Sequence, residues 1–282
     1  MSRISEEKLE QDQFDPLVDN LLENFEAEFK RYKSKDTKSA IHTWLAKQGV
    51  NDSMQYNITE NEVVIGAKAQ SPKQVNGPCV VRYKDGTVYV GNLTNTMRHG
   101  FGYRTYPKSD LVYAGEYFED KKQGIGRIYS LKRKVWGFKG QYGNDMRNGH
   151  GRWEKADGNT YTGNFVNEKL HGYGIQTWPN GDRYEGNFEK DFKNGFGKMI
   201  WSNGDMYEGN FKDNTMEGQG KYIWKNGEFY EGQFSKGSMA GHGVIDYTST
   251  IGIKGQGADV TSIRHLNFDL TNYQGPNKSI VH

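Results

Sequence analysis

A Gly-x-Gly triplet recurs seven times at a nearly fixed spacing between Gly100 and Gly243, and glycines at this spacing are the residues that let a backbone approach a bound phosphate closely. A dinucleotide site, however, needs a third glycine three residues later, between a strand and a helix. The copies keep a nearly fixed period and no helical pattern follows them, so we interpret these glycines as structural and expect no cofactor. The triplets begin at Gly100, Gly124, Gly149, Gly172, Gly195, Gly218 and Gly241.

Histidines lie beside several of these triplets, and imidazole is a common zinc ligand. Zinc requires several ligands at about 2.0 to 2.3 Å from one point, often with cysteine among them. The histidines belong to different copies of the pattern, and side chains on separate copies do not converge on one ion. They are His99, His150, His171 and His242. The sequence therefore predicts no metal site.

Residues suited to covalent catalysis lack the neighbours that would activate them. The sequence contains no Gly-x-Ser-x-Gly, His-Glu-x-x-His or phosphate-loop motif. Cys79, the only cysteine, stands where the pattern elsewhere has a glycine, and no activating base accompanies it. A chain with a single cysteine forms no internal disulfide, which is typical of a reducing compartment. We therefore expect a cytoplasmic protein that is not an enzyme.

The strongest cluster of positive charge is the run Lys132, Arg133 and Lys134. Lysine and arginine near an anionic membrane gain about 1 kcal/mol each, so the run is a candidate site for an anionic lipid headgroup or for an acidic segment of a partner. The simpler interpretation is a solvated loop, which we favour because no amphipathic helix or lipidation motif accompanies the run. The net charge of +2 is too small to predict nucleic-acid binding.

An aromatic-x-Gly triplet precedes each Gly-x-Gly triplet by 11 residues and repeats with a period of 23 to 25 residues. Alternation places Tyr184, Gly186 and Phe188 on one face of an extended segment, which predicts a strand. Residues 195–201 form the second strand, and Asn-Gly or Asp-Gly dipeptides before the next copy are typical of tight turns. Each copy is therefore a β-hairpin. The aromatic residues are Tyr89, Tyr113, Phe138, Tyr161, Tyr184, Tyr207 and Tyr230.

The glycines also explain how successive hairpins pack. A glycine has no Cβ atom, so it leaves a shallow recess in which a ring from the same or the next hairpin can lie. An isolated hairpin is only marginally stable in water, so every copy has to bury its aromatic face through its neighbours. The pattern thus predicts a row of hairpins with a shared aromatic face.

The Tyr-x-Gly, Gly-x-Gly and Asn-Gly signature resembles the MORN repeat (membrane occupation and recognition nexus) from about Gly77 to Gly255. Both ends are degraded, with Cys79 in place of a glycine and Ile253 in place of a tyrosine. The resemblance implies a mainly β fold, a single elongated, twisted antiparallel sheet of tandem hairpins over residues 77–257. MORN arrays are found in axonemal and basal-body components such as radial-spoke heads, in cytoskeletal scaffolds and in membrane-contact proteins.

The segments outside the array have different patterns. Residues 1–50 contain an apolar stripe that predicts a short α-helical N-terminal extension, which packs either on the sheet or on a partner. Residues 51–76 are a polar linker with one strand-like stretch at 63–65, and residues 258–282 lose all periodicity, which predicts an irregular tail. The apolar stripe includes Leu21, Phe25 and Phe29.

These features favour a non-enzymatic scaffold that docks other proteins through the array and the terminal extensions, in a ciliary axoneme or another cytoskeletal assembly. Aromatic residues dominate the energetics of protein interfaces, so the rings of the central repeats are candidate contacts. For any single ring, however, a place in the sheet core is the more common role. The candidates are Tyr161, Trp178, Tyr184, Trp201 and Tyr207, with Leu21, Phe25 and Phe29 in the extension.

Two other functions stay open at this point. One is a peripheral phosphoinositide-binding membrane adaptor, in which Lys132, Arg133 and Lys134 contact the headgroup. The other is a non-catalytic regulatory subunit of an enzyme or motor. A second copy of the chain is a further candidate partner, because the open edge of a sheet can pair with another strand.

Overall fold

The computed structural model describes residues 55–59, 62–65, 68–69, 75–106, 108–130, 136–246 and 266–269. The chain divides into two compact units, residues 1–145 and 146–282. The described residues of both units form strands and turns and include no helix. This confirms the predicted mainly β fold of antiparallel hairpins, whereas the predicted helical extension over residues 1–50 lies outside the described residues.

The described strands of the first unit are β1 (Gln55–Thr59), β2 (Glu62–Ile65), β3 (Lys68–Ala69), β4 (Val75–Tyr83), β5 (Val88–Thr94), β6 (Met97–Tyr106), β7 (Leu111–Phe118), β8 (Lys121–Ser130) and β9 (Trp136–Gly143). Strand β2 pairs with both β1 and β4, and β3 also pairs with β4. From β4 to β9, each strand pairs antiparallel with the next. The strand-like stretch predicted in the linker therefore corresponds to β2.

The described strands of the second unit are β10 (Met146–Glu154), β11 (Thr160–Val166), β12 (Lys169–Thr177), β13 (Arg183–Glu189), β14 (Phe192–Ile200), β15 (Met206–Lys212), β16 (Thr215–Ile223), β17 (Phe229–Ser235), β18 (Ser238–Asp246) and β19 (Leu266–Asp269). Each pairs antiparallel with the next. Strand β19 lies in the segment that the sequence predicts to be irregular. Pairing with the free edge of β18 satisfies backbone groups that would otherwise stay open, which the periodicity of the array does not reveal.

Two kinds of turn alternate along the array. Within a repeat, two residues with positive φ connect the strands, for example Asn167 at 48° and Glu168 at 72°, the signature of a type I′ turn. Where an Asn-Gly or Asp-Gly dipeptide joins two repeats, the loop has three residues, as in 179–181, where the Trp178 N–H donates to the carbonyl oxygen of Asp182 over 3.0 Å. The second kind contains the predicted Asn-Gly and Asp-Gly dipeptides.

A row of paired glycines runs across the sheet of each unit. In the second unit Gly186 pairs with Gly197, and in the first Cys79 takes the corresponding position opposite Gly91, as predicted. A Cβ atom at Gly186 would lie 2.6 Å from the hydroxyl oxygen of Tyr184. Real Cβ atoms do not approach a neighbour so closely, which confirms that the glycines form recesses for the rings.

The tyrosine rings above the glycines pack edge to face with phenylalanine rings of the same sheet face. Tyr184 contacts Phe188 and Phe211, each with ring centroids 5.1 Å apart, and Tyr207 contacts Phe211 and Phe234. Such pairs contribute about 0.5 to 1.5 kcal/mol each beyond the burial of their area. We call this side of the sheet the ring face. It is where the large buried side chains of the second unit lie.

The opposite side of the sheet differs between the units. In the second unit Glu185 pairs with Lys198, and Lys198 with Glu208, so we call this side the charged face. Opposite charges directly across a sheet contribute about 0.2 to 1 kcal/mol per pair. In the first unit Val80 and Val90, which lie on the side opposite the rings, are buried. The first unit thus buries side chains on both sides of its sheet.

Candidate docking surface

Three tryptophans, Trp178, Trp201 and Trp224, open three of the four three-residue loops described in the second unit, and Lys155 opens the other. Ile200, the last residue of β14, pairs with Met206 on the charged face, so the alternation of the strand directs the next side chain, Trp201, to the ring face. All three indoles are partly exposed. We call these three residues the indole row.

Contacts with other side chains hold the indole row in place. The centroid of Trp201 lies 5.4 Å from that of Tyr222, and the centroid of Trp224 lies 5.3 Å from the same ring. Trp178 instead contacts the ammonium group of Lys193, whose Nζ atom lies 4.7 Å from the indole centroid. Because the rings are already positioned, a partner that binds them would order few additional side-chain rotamers.

Lys193 places a positive charge beside the indole row. Its Nζ atom also lies over the rings of Tyr184 and Phe211, at 5.1 and 6.0 Å, and 3.9 Å from the sulfur of Met199. Burial among these groups lowers the pKa of Lys193 to about 8, against the opposing influence of Asp182. The amine is therefore mostly protonated at pH 7 and forms a cation enclosed by aromatic rings.

Aspartates in the loops fix the spacing from one repeat to the next. The Oδ1 atom of Asp182 accepts a hydrogen bond from the Ser202 N–H at 2.8 Å, and that of Asp205 accepts one from the Lys225 N–H at 2.9 Å. Burial acts to raise the pKa of Asp182, but hydrogen bonds from Ser202 and Asn180 hold it below its ordinary value. Each carboxylate thus joins one loop to the following loop. These aspartates were not among the predicted site residues, although each follows an Asn-Gly dipeptide.

The tyrosines that the sequence suggested as contact residues lie beneath the surface. Tyr161, Tyr184 and Tyr207 are fully buried. Each ring covers glycines of the central row, and each hydroxyl group donates to a backbone carbonyl oxygen three residues later. A fully buried ring offers no surface to a partner, so these tyrosines support the docking surface from below.

The two tryptophans among the predicted contact residues are at the surface. Trp178 and Trp201 are brought together with Trp224, which was not among the candidates. The signal for Trp224 was available, because it follows Trp201 by one period of 23 residues. The remaining candidates lie outside the described residues: Leu21, Phe25, Phe29, Lys132, Arg133 and Lys134.

The groups considered for metal binding or nucleophilic chemistry are separate from this surface. No three His, Cys, Asp or Glu side chains among the described residues are grouped so as to hold a metal ion. Cys79 is buried, and burial raises the pKa of its thiol to about 12. The thiol is therefore protonated at neutral pH and is a poor nucleophile. Within the described part of the chain, no helix has the length and apolar character needed to cross a membrane.

Comparison with known proteins identifies the repeat. The family model of the MORN repeat matches residues 89–111, 113–130, 138–160, 161–183, 184–206, 207–229 and 230–249. A search of curated proteins finds no match. Among solved structures, the chain is similar to the TCP domain of SAS-4 (dCPAP) in complex with a proline-rich motif of Ana2 (dSTIL) from Drosophila melanogaster. The similarity has a TM-score of 0.27 and 11% sequence identity, and covers 64% of this chain and 86% of that chain.

Proposed function

Because this chain belongs to the MORN-repeat family, we propose that it is a non-enzymatic docking protein that binds other proteins through the indole row. The observation that carries this proposal is the equivalent placement of Trp178, Trp201 and Trp224, each partly exposed and each opening a loop on the same face. Tryptophan is enriched among the residues that supply most of the binding free energy at protein interfaces.

The spacing of the indole row fits an extended partner. Successive tryptophans are two strands apart in the sheet, which corresponds to about 9.6 Å at a strand spacing of about 4.8 Å. A polyproline II segment advances about 9.3 Å in three residues, so its successive turns would meet successive indoles. Aromatic-lined surfaces bind proline-rich segments in this conformation. We therefore propose that the partner presents a proline-rich segment that runs across the strands.

The proposed setting is a cytoskeletal assembly such as a ciliary axoneme. This part of the proposal is supported by the resemblance to MORN arrays of axonemal and cytoskeletal proteins. Imaging of the tagged full chain in ciliated cells tests it. Signal along the axoneme or at the basal body supports the setting, and signal spread evenly through the cytoplasm contradicts it.

The docking proposal is tested by removing the three indoles together. The full chain carrying Trp178→Ala, Trp201→Ala and Trp224→Ala is compared with Phe196→Ala, which removes a ring that is 54% exposed and lies on the charged face of the same unit. Fluorescence anisotropy measures binding of a labelled oligoproline peptide, with a Gly-Ser peptide of equal length as the control. We expect wild type and Phe196→Ala to bind the oligoproline and the triple variant to lose binding.

Two further measurements make the outcome unambiguous. Circular dichroism and thermal unfolding establish that the triple variant is folded, and single tryptophan variants replace it if it is not. Equal oligoproline binding by the folded triple variant and the wild type would contradict the proposal. Absence of peptide binding together with flotation on phosphoinositide-containing vesicles, lost on replacement of Lys132, Arg133 and Lys134, would favour the membrane adaptor instead.

A further inference from the structure

The ring face of the first unit contains a polar pocket that is separate from the indole row. The pocket has a volume of about 210 Å³. Two guanidinium groups face this small space, and guanidinium groups are the side-chain donors best suited to oxyanions. The lining includes Tyr83, Leu93, Thr96, Arg98, Arg104 and Asp120.

Arg104 is an unusual residue for its place in the sheet. Its neighbours across the strands are Tyr89 and Tyr113, in a row that holds Met199 in the second unit. The guanidinium carbon lies 5.3 Å from the ring centroid of Tyr83 and 5.0 Å from that of Tyr106. Ring contacts of this kind fix the plane of the guanidinium group.

Among the described residues, none accepts a hydrogen bond from the Arg104 side chain. Its Nε atom is buried and has no hydrogen-bond partner, and no described residue forms a hydrogen bond or an ion pair with the side chain. Most buried polar groups in proteins are hydrogen-bonded, and an unsatisfied one calls for an explanation such as a missing ligand. Arg104 thus presents an uncommitted, oriented donor to the pocket.

Arg98 is held in place on the other side of the pocket. Its Nε atom donates to Oδ1 of Asp120 at 3.0 Å and its Nη2 atom to the carbonyl oxygen of Asp120 at 2.6 Å. Its guanidinium carbon lies 5.0 Å from the ring centroid of Tyr117, whose buried hydroxyl group has no hydrogen-bond partner in the described part of the chain. Asp120 neutralises Arg98, so the described lining of the pocket retains one net positive charge, that of Arg104. The charge of Asp85 also acts on Arg104. However, Asp85 is exposed to solvent and interacts with the charge of Lys108 as well.

We propose that this pocket binds one carboxylate group. A monoanion neutralises the single excess charge, whereas a phosphate dianion would leave one negative charge in a pocket that already contains Asp120. A carboxylate also matches the planar donor edge of a guanidinium group and accepts two parallel hydrogen bonds from it. The carboxylate belongs to an acidic side chain of a protein partner. This assignment of the source rests on the proposed docking function, whereas the existence of the carboxylate site is inferred from the geometry of the pocket alone.

The site is tested by titrating the full chain with sodium acetate at constant ionic strength, maintained with sodium chloride, and following the Nε–Hε resonance of Arg104 by NMR. The loss of one signal in Arg104→Lys assigns the resonance. Acetamide serves as the neutral probe of the same shape, and the resonance of the exposed Arg152 reports non-specific ion effects. We expect a saturable shift of Arg104 with acetate, none with acetamide, and a weakened response in Arg98→Gln.

Three results would overturn the proposal: a shift that grows linearly without saturation, a shift of equal size at Arg152, or tighter binding of inorganic phosphate than of acetate. The titration does not depend on the indole row. The triple tryptophan variant is expected to keep the acetate response, so failure of the docking function and failure of this site are distinguishable. If docking holds, acetate competition against an acidic partner segment, but not against its Asn/Gln-substituted form, identifies the source of the carboxylate.

Discussion

The hydroxyl group of Tyr184 donates a hydrogen bond to the backbone carbonyl oxygen of Asn187 over 3.0 Å. The ring reaches this carbonyl by lying over Gly186 and Gly197, where a Cβ atom would overlap it. The spacing of aromatic residue and glycine in the sequence therefore corresponds to one three-dimensional contact that every such repeat forms. The equivalent hydrogen bonds start from Tyr89, Tyr113, Tyr161, Tyr207 and Tyr230.

Replacement of Gly197 by alanine is expected to destabilise the protein. The methyl group would overlap the ring of Tyr184, and because Asn187 anchors that ring the strands have to move apart. Overpacking of this kind typically costs about 1 to 3 kcal/mol, which urea unfolding followed by circular dichroism measures. Lys225→Ala, at an exposed position of the same unit, is the control and is expected to stay within about 0.5 kcal/mol of wild type. Equal unfolding midpoints for the two variants would show that the recess tolerates a side chain.

Tyr184→Phe isolates the hydrogen bond from the ring packing. The variant keeps the edge-to-face contacts and leaves the carbonyl oxygen of Asn187 without its hydroxyl donor, so we expect a loss of about 0.5 to 1.5 kcal/mol in the free energy of unfolding. Tyr173→Phe is the matched control, because the hydroxyl of Tyr173 bonds to Glu185 at the surface and water can replace it. A cost at Tyr173 as large as that at Tyr184 would contradict this account.

The glycine recesses could be predicted from the sequence because each recess and the ring that fills it belong to residues that are close in sequence. Tyr184 lies two positions before Gly186, and Gly197 belongs to the next strand of the same hairpin. Contacts of such short range leave a periodic pattern that a single sequence displays. The same reasoning placed Cys79 in the glycine row, where it is found opposite Gly91.

Other features depend on packing that a pattern does not contain. Tyr184 and Trp178 are both aromatic and both lie on the ring face, yet only Tyr184 is fully buried, because its ring fills the recess over Gly186 and Gly197. The turn at Asn167 and Glu168 has two positive φ angles without any glycine, so it lacks the compositional signal of the other loops. Both features became apparent only from the structure.

Lys193→Met is expected to stabilise the protein at pH 7, with a gain that shrinks at high pH. The folded-state pKa of Lys193 is about 8, below the ordinary 10.5, so between these values the unfolded chain binds more protons than the folded chain. The contribution of Lys193 to the free energy of unfolding therefore rises from about pH 8 to about pH 10.5, and below pH 8 the cost of the buried charge is fully present. Methionine already occupies the equivalent positions of the next two repeats, Met216 and Met239.

Paired unfolding measurements from pH 7 to pH 10.5 check this prediction. Titrations of other groups act on both proteins and cancel in the difference between Lys193→Met and wild type. A difference that stays constant over this range would show that the pKa of Lys193 is not lowered in the folded state.

Cys79 is expected to resist alkylation while the protein is folded. Its thiol is buried and has a pKa raised to about 12 by that burial, and the thiolate is the reactive form. Iodoacetamide at pH 8, followed by mass spectrometry, is expected to label the chain only in urea. Ser202→Cys supplies an exposed thiol as the positive control in the folded state. Labelling of folded Cys79 at the rate of this exposed thiol would contradict the described burial.

Lys190→Asn is expected to stabilise the protein by less than about 1 kcal/mol, part of the cost of a left-handed conformation. Lys190 and Asp191 form a two-residue turn with φ angles of 50° and 76°, and this left-handed conformation is least costly for asparagine among residues with a Cβ atom. Asn95 and Asn167 already stand at the first turn position of other repeats. Within the described residues, Lys190 forms one ion pair, an exposed contact with Glu189 at 3.8 Å, whose loss costs little.

The matched control for this substitution is Lys212→Asn. Lys212 is exposed and ends β15, and its φ angle is not positive, so asparagine there gains nothing from the left-handed region and lowers the strand propensity. Thermal and urea unfolding midpoints are therefore expected to rise for Lys190→Asn and to fall slightly for Lys212→Asn. A shift of the same sign in both variants would contradict this explanation. The effect would then come from the loss of a surface lysine charge, which both variants share, and not from the conformation of the turn.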